Sequence, residues 1–270
     1  MKIIDKQRVI EILESLYKGE NTALKYGSVF QLLVAVILSA QCTDERVNKV
    51  TPPLFEKYGT PEKMAEISLD ELISYIKPCG YYNSKAKDFV SGTVDVAFTE
   101  MQDTFLEYLP AGGKILDFGC GSGRDTKYFI SRGYDVDATD GSEELCKIAS
   151  EYTGIQVKQM LFEELNEVEL YDGVWACASI LHAEKKQLPN IMKKIATATK
   201  KGGTVYTSFK YGDFEGVRNG RFFTYLTEES FKDLLNMVQG LVIEKLWISA
   251  DVRAERGEER WLNIVLRKLA

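Results

Sequence analysis

The chain has 270 residues and a formal net charge of −6, with 45% hydrophobic residues, a single histidine and five cysteines. That length suits one large or two modest domains. No leader, lipidation motif or membrane-spanning run is visible, and an odd, scattered set of cysteines fits reduced thiols, so a cytoplasmic protein with no membrane partner is expected.

The first strong pattern is Phe30 to Asp44, an apolar run typical of a buried helix that closes in a polar cap. It is too short and too closely followed by charge to span a bilayer. Through Lys85 the chain carries eleven basic and eleven acidic residues, so the whole acidic excess lies beyond that point. A nucleic-acid-binding face is ordinarily basic, which favours a small-molecule partner and leaves a local basic patch as the route to nucleic acid.

Residues 38–48, Leu-Ser-Ala-Gln-Cys-Thr-Asp-Glu-Arg-Val-Asn, and 75–86, Tyr-Ile-Lys-Pro-Cys-Gly-Tyr-Tyr-Asn-Ser-Lys-Ala, closely resemble the start of endonuclease III, a base-excision DNA glycosylase. The resemblance implies that Gln41 matches the glutamine that fills the gap left by an extruded base. It also implies a helix–hairpin–helix with a nucleophilic lysine, a catalytic aspartate and four C-terminal cysteines, and these are missing. Leu109 to Lys114 echoes the hairpin, yet Lys114 opens a strand. Cys42, Cys79, Cys120, Cys146 and Cys177 show no metal-ligand spacing, and no metal or glycosylase activity is expected.

Further on, Lys114 to Thr126 reads K-I-L-D-F-G-C-G-S-G-R-D-T. A strand ending in Asp117 runs into Gly119, Gly121 and Gly123, and a helical segment, Arg124 to Arg132, follows. Glycines tolerate positive φ and close ligand approach, and a helix N-terminus adds unpaired N–H groups. The dinucleotide fingerprint needs its third glycine one residue later, where Arg124 stands. A second strand, Asp135 to Thr139, ends in Asp140, about twenty residues on, the spacing at which an acid meets ribose hydroxyls. Ser142 is a candidate N-cap for the helix after Gly141. Strands at Gln156 to Met160, Asp172 to Ser179 and Thr204 to Phe209 alternate with a helix at Leu188 to Lys200, and strands at Leu241 to Ser249 and Arg260 to Arg267 close the chain. Such alternation predicts a doubly wound α/β sheet.

The run D-x-G-C-G-S-G resembles motif I of class I S-adenosylmethionine-dependent methyltransferases, and Tyr82 to Phe89 resembles the lead-in helix of their tellurite-resistance-type small-molecule branch. The resemblance implies a Rossmann-like seven-stranded sheet with its last strand antiparallel, over residues 81–270. Residues 1–80 would form a small all-α, endonuclease III-like fragment without the catalytic part, fused with no flexible linker.

The same resemblance implies S-adenosylmethionine as cofactor, held by Asp117, Gly119, Cys120, Gly121, Gly123, Arg124, Asp140, Gly141 and Ala178, with Tyr82 closing over its methionine end. Where the family carries an adenine-reading acid, this chain has Leu161, so adenine is expected to be read by backbone groups around Leu161 and Phe162, or by Glu163. His182, just past the fourth strand, is the candidate base, since its near-neutral reference pKa suits proton removal. Arg218, Arg221, Phe222 and Tyr225, in an insertion after the fifth strand, are candidates to grip an anionic or planar acceptor, with Arg253 and Arg260 beside them. Trp175, Cys177 and Trp261 read as core packing. The expected activity is one-step methyl transfer to a small molecule. The alternatives are a nucleic-acid methyltransferase with an N-terminal binding arm and a donor-binding regulatory protein without turnover.

Overall fold

The computed structural model describes residues 22–39, 44–76, 86, 89–218, 221–253 and 258–269. Gln41, Tyr82 and Lys85, and most of the segment expected to join the two parts, lie outside the described residues. The chain divides into two compact units, Met1–Cys79 and Gly80–Ala270.

The first unit holds helices α1 (Val29–Ser39), α2 (Asp44–Tyr58), α3 (Pro61–Glu66) and α4 (Leu69–Ile76). Pro61 opens α3 at a position whose N–H would have no helical partner, and the Thr60 hydroxyl caps it by accepting from Lys63 N–H. Leu24, Ala35, Val47 and Val50 form the core, with Leu32, Leu38 and Phe55 against it. The buried helix expected at Phe30 is half wrong. Only one face of α1 packs inward, while Val29, Leu33, Val36 and Ile37 stand exposed. A sequence apolar all round cannot say which of its faces finds a partner.

In the second unit α5 (Thr99–Leu106) precedes β1 (Lys114–Phe118), α6 (Arg124–Ser131), β2 (Asp135–Asp140), α7 (Glu143–Thr153), β3 (Lys158–Gln159), β4 (Tyr171–Ala176), α8 (Leu188–Ala198) and β5 (Thr199–Lys210). A hairpin, β6 (Glu215–Arg218) and β7 (Arg221–Thr224), comes next, then α9 (Glu228–Asn236), β8 (Leu241–Ala250) and β9 (Arg260–Lys268). The seven-stranded sheet runs β3-β2-β1-β4-β5-β9-β8. β1 to β5 pair in parallel, and β9 inserts antiparallel between β5 and β8. The expected doubly wound sheet with an antiparallel last strand is present.

Differences from the sequence reading are local. The third strand shrinks to two residues. The fifth begins at Thr199 because Tyr171 pairs with it before the ladder shifts and resumes at Gly173 and Thr204. The insertion after β5, expected as a loop, pairs with itself as β6 and β7.

Both sheet faces are covered. On one, Phe105, Phe129, Trp175 and Tyr206 are fully buried, and the Trp175 and Tyr206 rings stack at 4.0 Å. Each such ring contributes about 1.5–3 kcal/mol through burial. The helix over the turn after β1 sits close because Gly123 has no side chain. A Cβ there would lie 2.8 Å from Thr153 Cγ2 and 3.2 Å from Ala149 Cβ, both on α7.

Candidate functional site

The strand order reverses around β1, whose neighbours β2 and β4 are reached by chain running in opposite directions across the sheet. At such a switch point the loops after adjacent strands part, and a crevice opens at the carboxyl edge. Here the crevice lies between the glycine turn after β1 and the bend after β4, with a volume of about 1060 Å³ that includes its mouth.

Three glycines shape the turn. Gly119, Gly121 and Gly123 have φ of 88°, 56° and 80°, in the left-handed region. A Cβ on Gly119 would come within 2.5 Å of Ser179 Cβ, and one on Gly121 within 3.0 Å of the Phe89 ring. Gly119 and Gly121 thus border the cleft without side chains, because Ser179 and Phe89 fill the space a Cβ would need. Gly119 and Cys120 both donate to the Thr139 carbonyl, at 2.9 and 2.8 Å, which ties the turn to the end of β2.

Asp140 reinforces that tie. Its two carboxylate oxygens accept from Gly121 N–H at 3.0 Å and Ser142 N–H at 2.8 Å. Burial raises its pKa, against the pull of those backbone donors. Ser142 caps α7 as expected, accepting from Leu145 N–H. Asp117 lies beneath the turn, fully buried, and accepts a 2.6 Å hydrogen bond from the Thr126 hydroxyl. Burial first, and the charge of Asp125 second, push its carboxyl up to about 8, while Thr126 pulls the other way.

Arg124, the first residue of α6, makes a forked ion pair with Asp125, Nε to Oδ1 at 2.7 Å and Nη2 to Oδ2 at 3.0 Å. Asp125 also accepts from Gln102 Nε2 and Trp175 Nε1, so its carboxylate is saturated and fixed. The Arg124 guanidinium lies 4.4 Å from the Phe98 ring centre and borders the cleft. Trp175 is core packing, as read, yet its indole N–H orients the acid that holds Arg124.

Beyond β4, Ala178 has φ of 48°, a left-handed alanine that costs about 1–2 kcal/mol. Its N–H donates to Ser208 Oγ at 2.9 Å, which helps hold the bend. His182 follows on a short 3-10 turn, Ile180–His182. Its Nδ1 lies 2.6 Å from the Phe222 carbonyl oxygen. A carbonyl only accepts, so Nδ1 carries a proton, and in the neutral form of the ring the lone pair falls on Nε2.

Of the residues read from the sequence, Gly119, Cys120, Gly121, Arg124, Ala178, His182 and Arg221 border the cleft. Asp117, Gly123 and Asp140 shape the turn from behind. Gly141 and Leu161 meet each other, since a Cβ on Gly141 would lie 3.4 Å from Leu161 Cδ2. Leu161 N–H is taken by Glu164 Oε2 at 2.7 Å, and Phe162 packs edge-on against Phe118. Glu163 accepts from Gln187.

Phe222 contributes its carbonyl to His182, while Arg218 stacks on Phe214 at 3.9 Å and lies over Tyr225, away from the cleft wall. Arg253 reaches the cleft but is held by Asp251. Burial opposes ionisation of Asp251, yet the Arg253 guanidinium and backbone N–H, with Trp261 Nε1–H, hold its carboxyl down at about 2. Arg260, whose carbonyl accepts from Tyr211, is not on the wall. Cys177 and Trp261, read as core, do border the cleft. So do Lys210, Asn263 and Ser249. Lys210, Trp261 and Ser249 form one row, because Lys210 pairs with Trp261 and Trp261 with Ser249. Lys210 ends a parallel strand and was findable by the carboxyl-edge rule. The other two needed the position of β9.

Two sets of relatives bear on this architecture. The profile of the HhH-GPD superfamily base excision DNA repair protein matches residues 34–171, just over half of the chain. The chain belongs to the HhH-GPD superfamily. It is 45% identical over 96 residues to endonuclease III of Haemophilus influenzae, and 49% over 86 residues to that of Synechocystis sp.. Those matches take in 34% and 31% of this chain, and 46% and 39% of the relatives, so the chain spans less than half the length of these two relatives.

The sheet has other neighbours. The structure is similar to 1,6-didemethyltoxoflavin-N1-methyltransferase of Burkholderia thailandensis, solved with 1,6-didemethyltoxoflavin and S-adenosylhomocysteine, with a TM-score of 0.61 at 20% identity, covering 76% of this chain and 92% of that one. A SAM-dependent methyltransferase of Methanosarcina mazei gives a TM-score of 0.55 at 18% identity, covering 64% and 98%. The chain thus joins an endonuclease III-like N-terminal region to a fold shared with SAM-dependent methyltransferases. No described helix is long and apolar enough to cross a membrane.

Proposed function

We propose that the second unit is an S-adenosylmethionine-dependent methyltransferase acting on a small molecule. The observation that carries this reading is the glycine turn, bare on its cleft side and tied through Gly121 to Asp140. A half-buried carboxylate that accepts from Gly121, Gly141 and Ser142 N–H keeps a lone pair for a ribose hydroxyl. Gly119, Cys120 and Gly121 would face the methionine part, with Arg124 toward its carboxylate. When bound, S-adenosylmethionine supplies an electrophilic methyl group on a sulfonium centre.

The protein's own part is positioning. Phe89, Phe98 and Phe223 exclude water from the wall, and Ala178 and Leu181 narrow the space beside the turn. Holding two partners in line supplies several kcal/mol of a transfer barrier. His182, oriented by the Phe222 carbonyl, accepts a proton at Nε2 from an acceptor that must lose one.

We infer no glycosylase activity. Lys114, where the hairpin echo puts a nucleophile, opens β1 with its ammonium 2.9 Å from Asp135 and 3.2 Å from Asp137. Burial opposes its charge, but the two carboxylates outweigh it and raise its pKa, which keeps it protonated and unreactive.

Calorimetry with S-adenosylhomocysteine, followed by donor consumption with a panel of small acceptors, tests the proposal. Absence of binding overturns it, and binding without turnover of any acceptor favours a donor-binding regulator. The HhH-GPD match supports a second reading, a nucleic-acid methyltransferase using the first unit as an arm. Gel shifts on DNA and tRNA across several salt concentrations separate it, since phosphate contacts give a steep salt dependence.

A further inference from the structure

Among the described residues on the cleft wall, Arg124, Lys210, Arg221 and Arg253 are cationic and only Asp125 and Asp251 are anionic. That is a surplus of positive charge in a chain whose net charge is −6. Arg124 and Arg253 are each fixed by a forked pair to a buried acid, Asp125 or Asp251.

Lys210 is built differently. Its residue is 8% exposed, and its ammonium lies 5.2 Å from the ring centre of Phe223, 5.7 Å from that of Tyr225 and 5.9 Å from that of Trp261. Its ion-pair partner is Glu259, at 2.7 Å, and the Glu259 side chain is 38% exposed on the segment before β9. The three rings place the ammonium by packing and by cation–π attraction, whether or not Glu259 stays. Glu259 is the more exposed partner and regains solvent when it leaves, so a second anion arriving from the cleft can take its place and compensate the buried ammonium.

The geometry points to an anion subsite at Lys210, within the cleft read above as the acceptor site. Its ligand is a planar aromatic carboxylate or enolate that displaces Glu259, takes a charge-assisted hydrogen bond from the ammonium and packs against the half-buried Trp261. Asn263 and Ser249 are already hydrogen-bonded within the sheet, and the Arg221 guanidinium, 5.1 Å from the Phe223 ring centre, adds a second positive charge beside the ammonium. The inference rests on the acceptor reading of the cleft and adds the charge of the acceptor and the group that recognises it.

The test uses the full chain and three probes of one shape: salicylate, its neutral amide salicylamide, and the cation benzamidine. Binding is read by ligand-detected NMR, with S-adenosylhomocysteine affinity measured on the same samples by calorimetry. Salicylate is expected to bind at least tenfold more tightly than either other probe. Lys210→Met abolishes that preference and Lys210→Arg restores most of it. Glu259→Gln removes the competing carboxylate and tightens salicylate several-fold, an effect opposite to the loss expected of a purely structural ion pair. Equal or stronger binding of the neutral or cationic probe, no salicylate binding at millimolar concentration, or weaker binding in Glu259→Gln overturns the inference. Loss of S-adenosylhomocysteine binding with the salicylate preference intact would instead remove the donor reading and leave the anion subsite standing.

Discussion

The backbone N–H of Gly121 donates to Asp140 Oδ2 at 3.0 Å, joining the turn after β1 to the end of β2. The two strands are paired in register from Lys114 and Asp135 to Phe118 and Thr139, so the bond closes a ladder already built. Asp140 accordingly sets the shape of the turn, a role separate from the ligand contact proposed for it.

Asp140→Asn tests that double role. An amide has one acceptor oxygen, so its NH₂ must face either Gly121 N–H or Ser142 N–H, donor against donor. A loss of about 1–3 kcal/mol in stability is expected, read by chemical denaturation, together with a larger proportional loss of S-adenosylhomocysteine affinity, read by calorimetry. Affinity unchanged in a folded variant would mean the carboxylate serves the turn alone.

Gly119→Ala and Gly133→Ala separate backbone strain from crowding. Both glycines have nearly the same φ, 88° and 86°, but a Cβ at Gly133 meets nothing within 4 Å while one at Gly119 meets Ser179 at 2.5 Å. Gly133→Ala should cost about 1 kcal/mol for the left-handed conformation alone, and Gly119→Ala should cost about 2–3 kcal/mol more through overpacking. Thermal melts of the two variants side by side give the difference.

Asp117 gives stability a pH dependence of known sign. Its folded pKa of about 8 lies above the ordinary carboxylate value of 3.8, so the folded state keeps a proton that the unfolded chain has lost. Stability contributed at this position is full below about pH 4, falls as pH rises toward 8 and is flat beyond, with a limiting slope of about 1.4 kcal/mol per pH unit. In Asp117→Asn the slope from this site should vanish, so the variant gains on the wild type between pH 5 and 8 in urea titrations. A constant difference across that range would show that Asp117 is ionised in the fold.

His182→Ala should lower turnover by about 10²–10⁴-fold where the acceptor must lose a proton, with S-adenosylhomocysteine affinity retained. An acceptor that reacts without proton loss should be far less affected, so comparing the two kinds of acceptor in steady-state assays isolates the base.

Much of this site was legible before any coordinates. Gly119 to Arg124, Asp140 and His182 sit at strand ends, and strand ends are visible as apolar runs that stop in glycine or acid. What stayed hidden depends on which strands become neighbours. Trp261 reads as a core tryptophan, since alternation places it on a sheet face without saying how near the sheet's edge that face opens. It joins the cleft only because β9 inserts beside β5 and pairs it with Lys210. The helix at Val29–Ser39 shows the same limit from the other side, its apolar pattern being too uniform to reveal which face is covered.

The sequence by itself determined the doubly wound sheet, the endonuclease III-like start and the place of the glycine turn. All three follow from short-range chemistry: hydrophobic periodicity, positive-φ glycines and motifs read along a few residues. Only the tertiary structure decided that Asp140 spends both oxygens on backbone, that Asp125 pins Arg124, and that Lys210 stands in a cage of rings facing the cleft. Asp125 is fixed by Trp175, fifty residues on, and Lys210 by Trp261 across a strand pair, so side-chain charge and shape acquire their function only when the sheet order brings such residues within a few ångströms of each other.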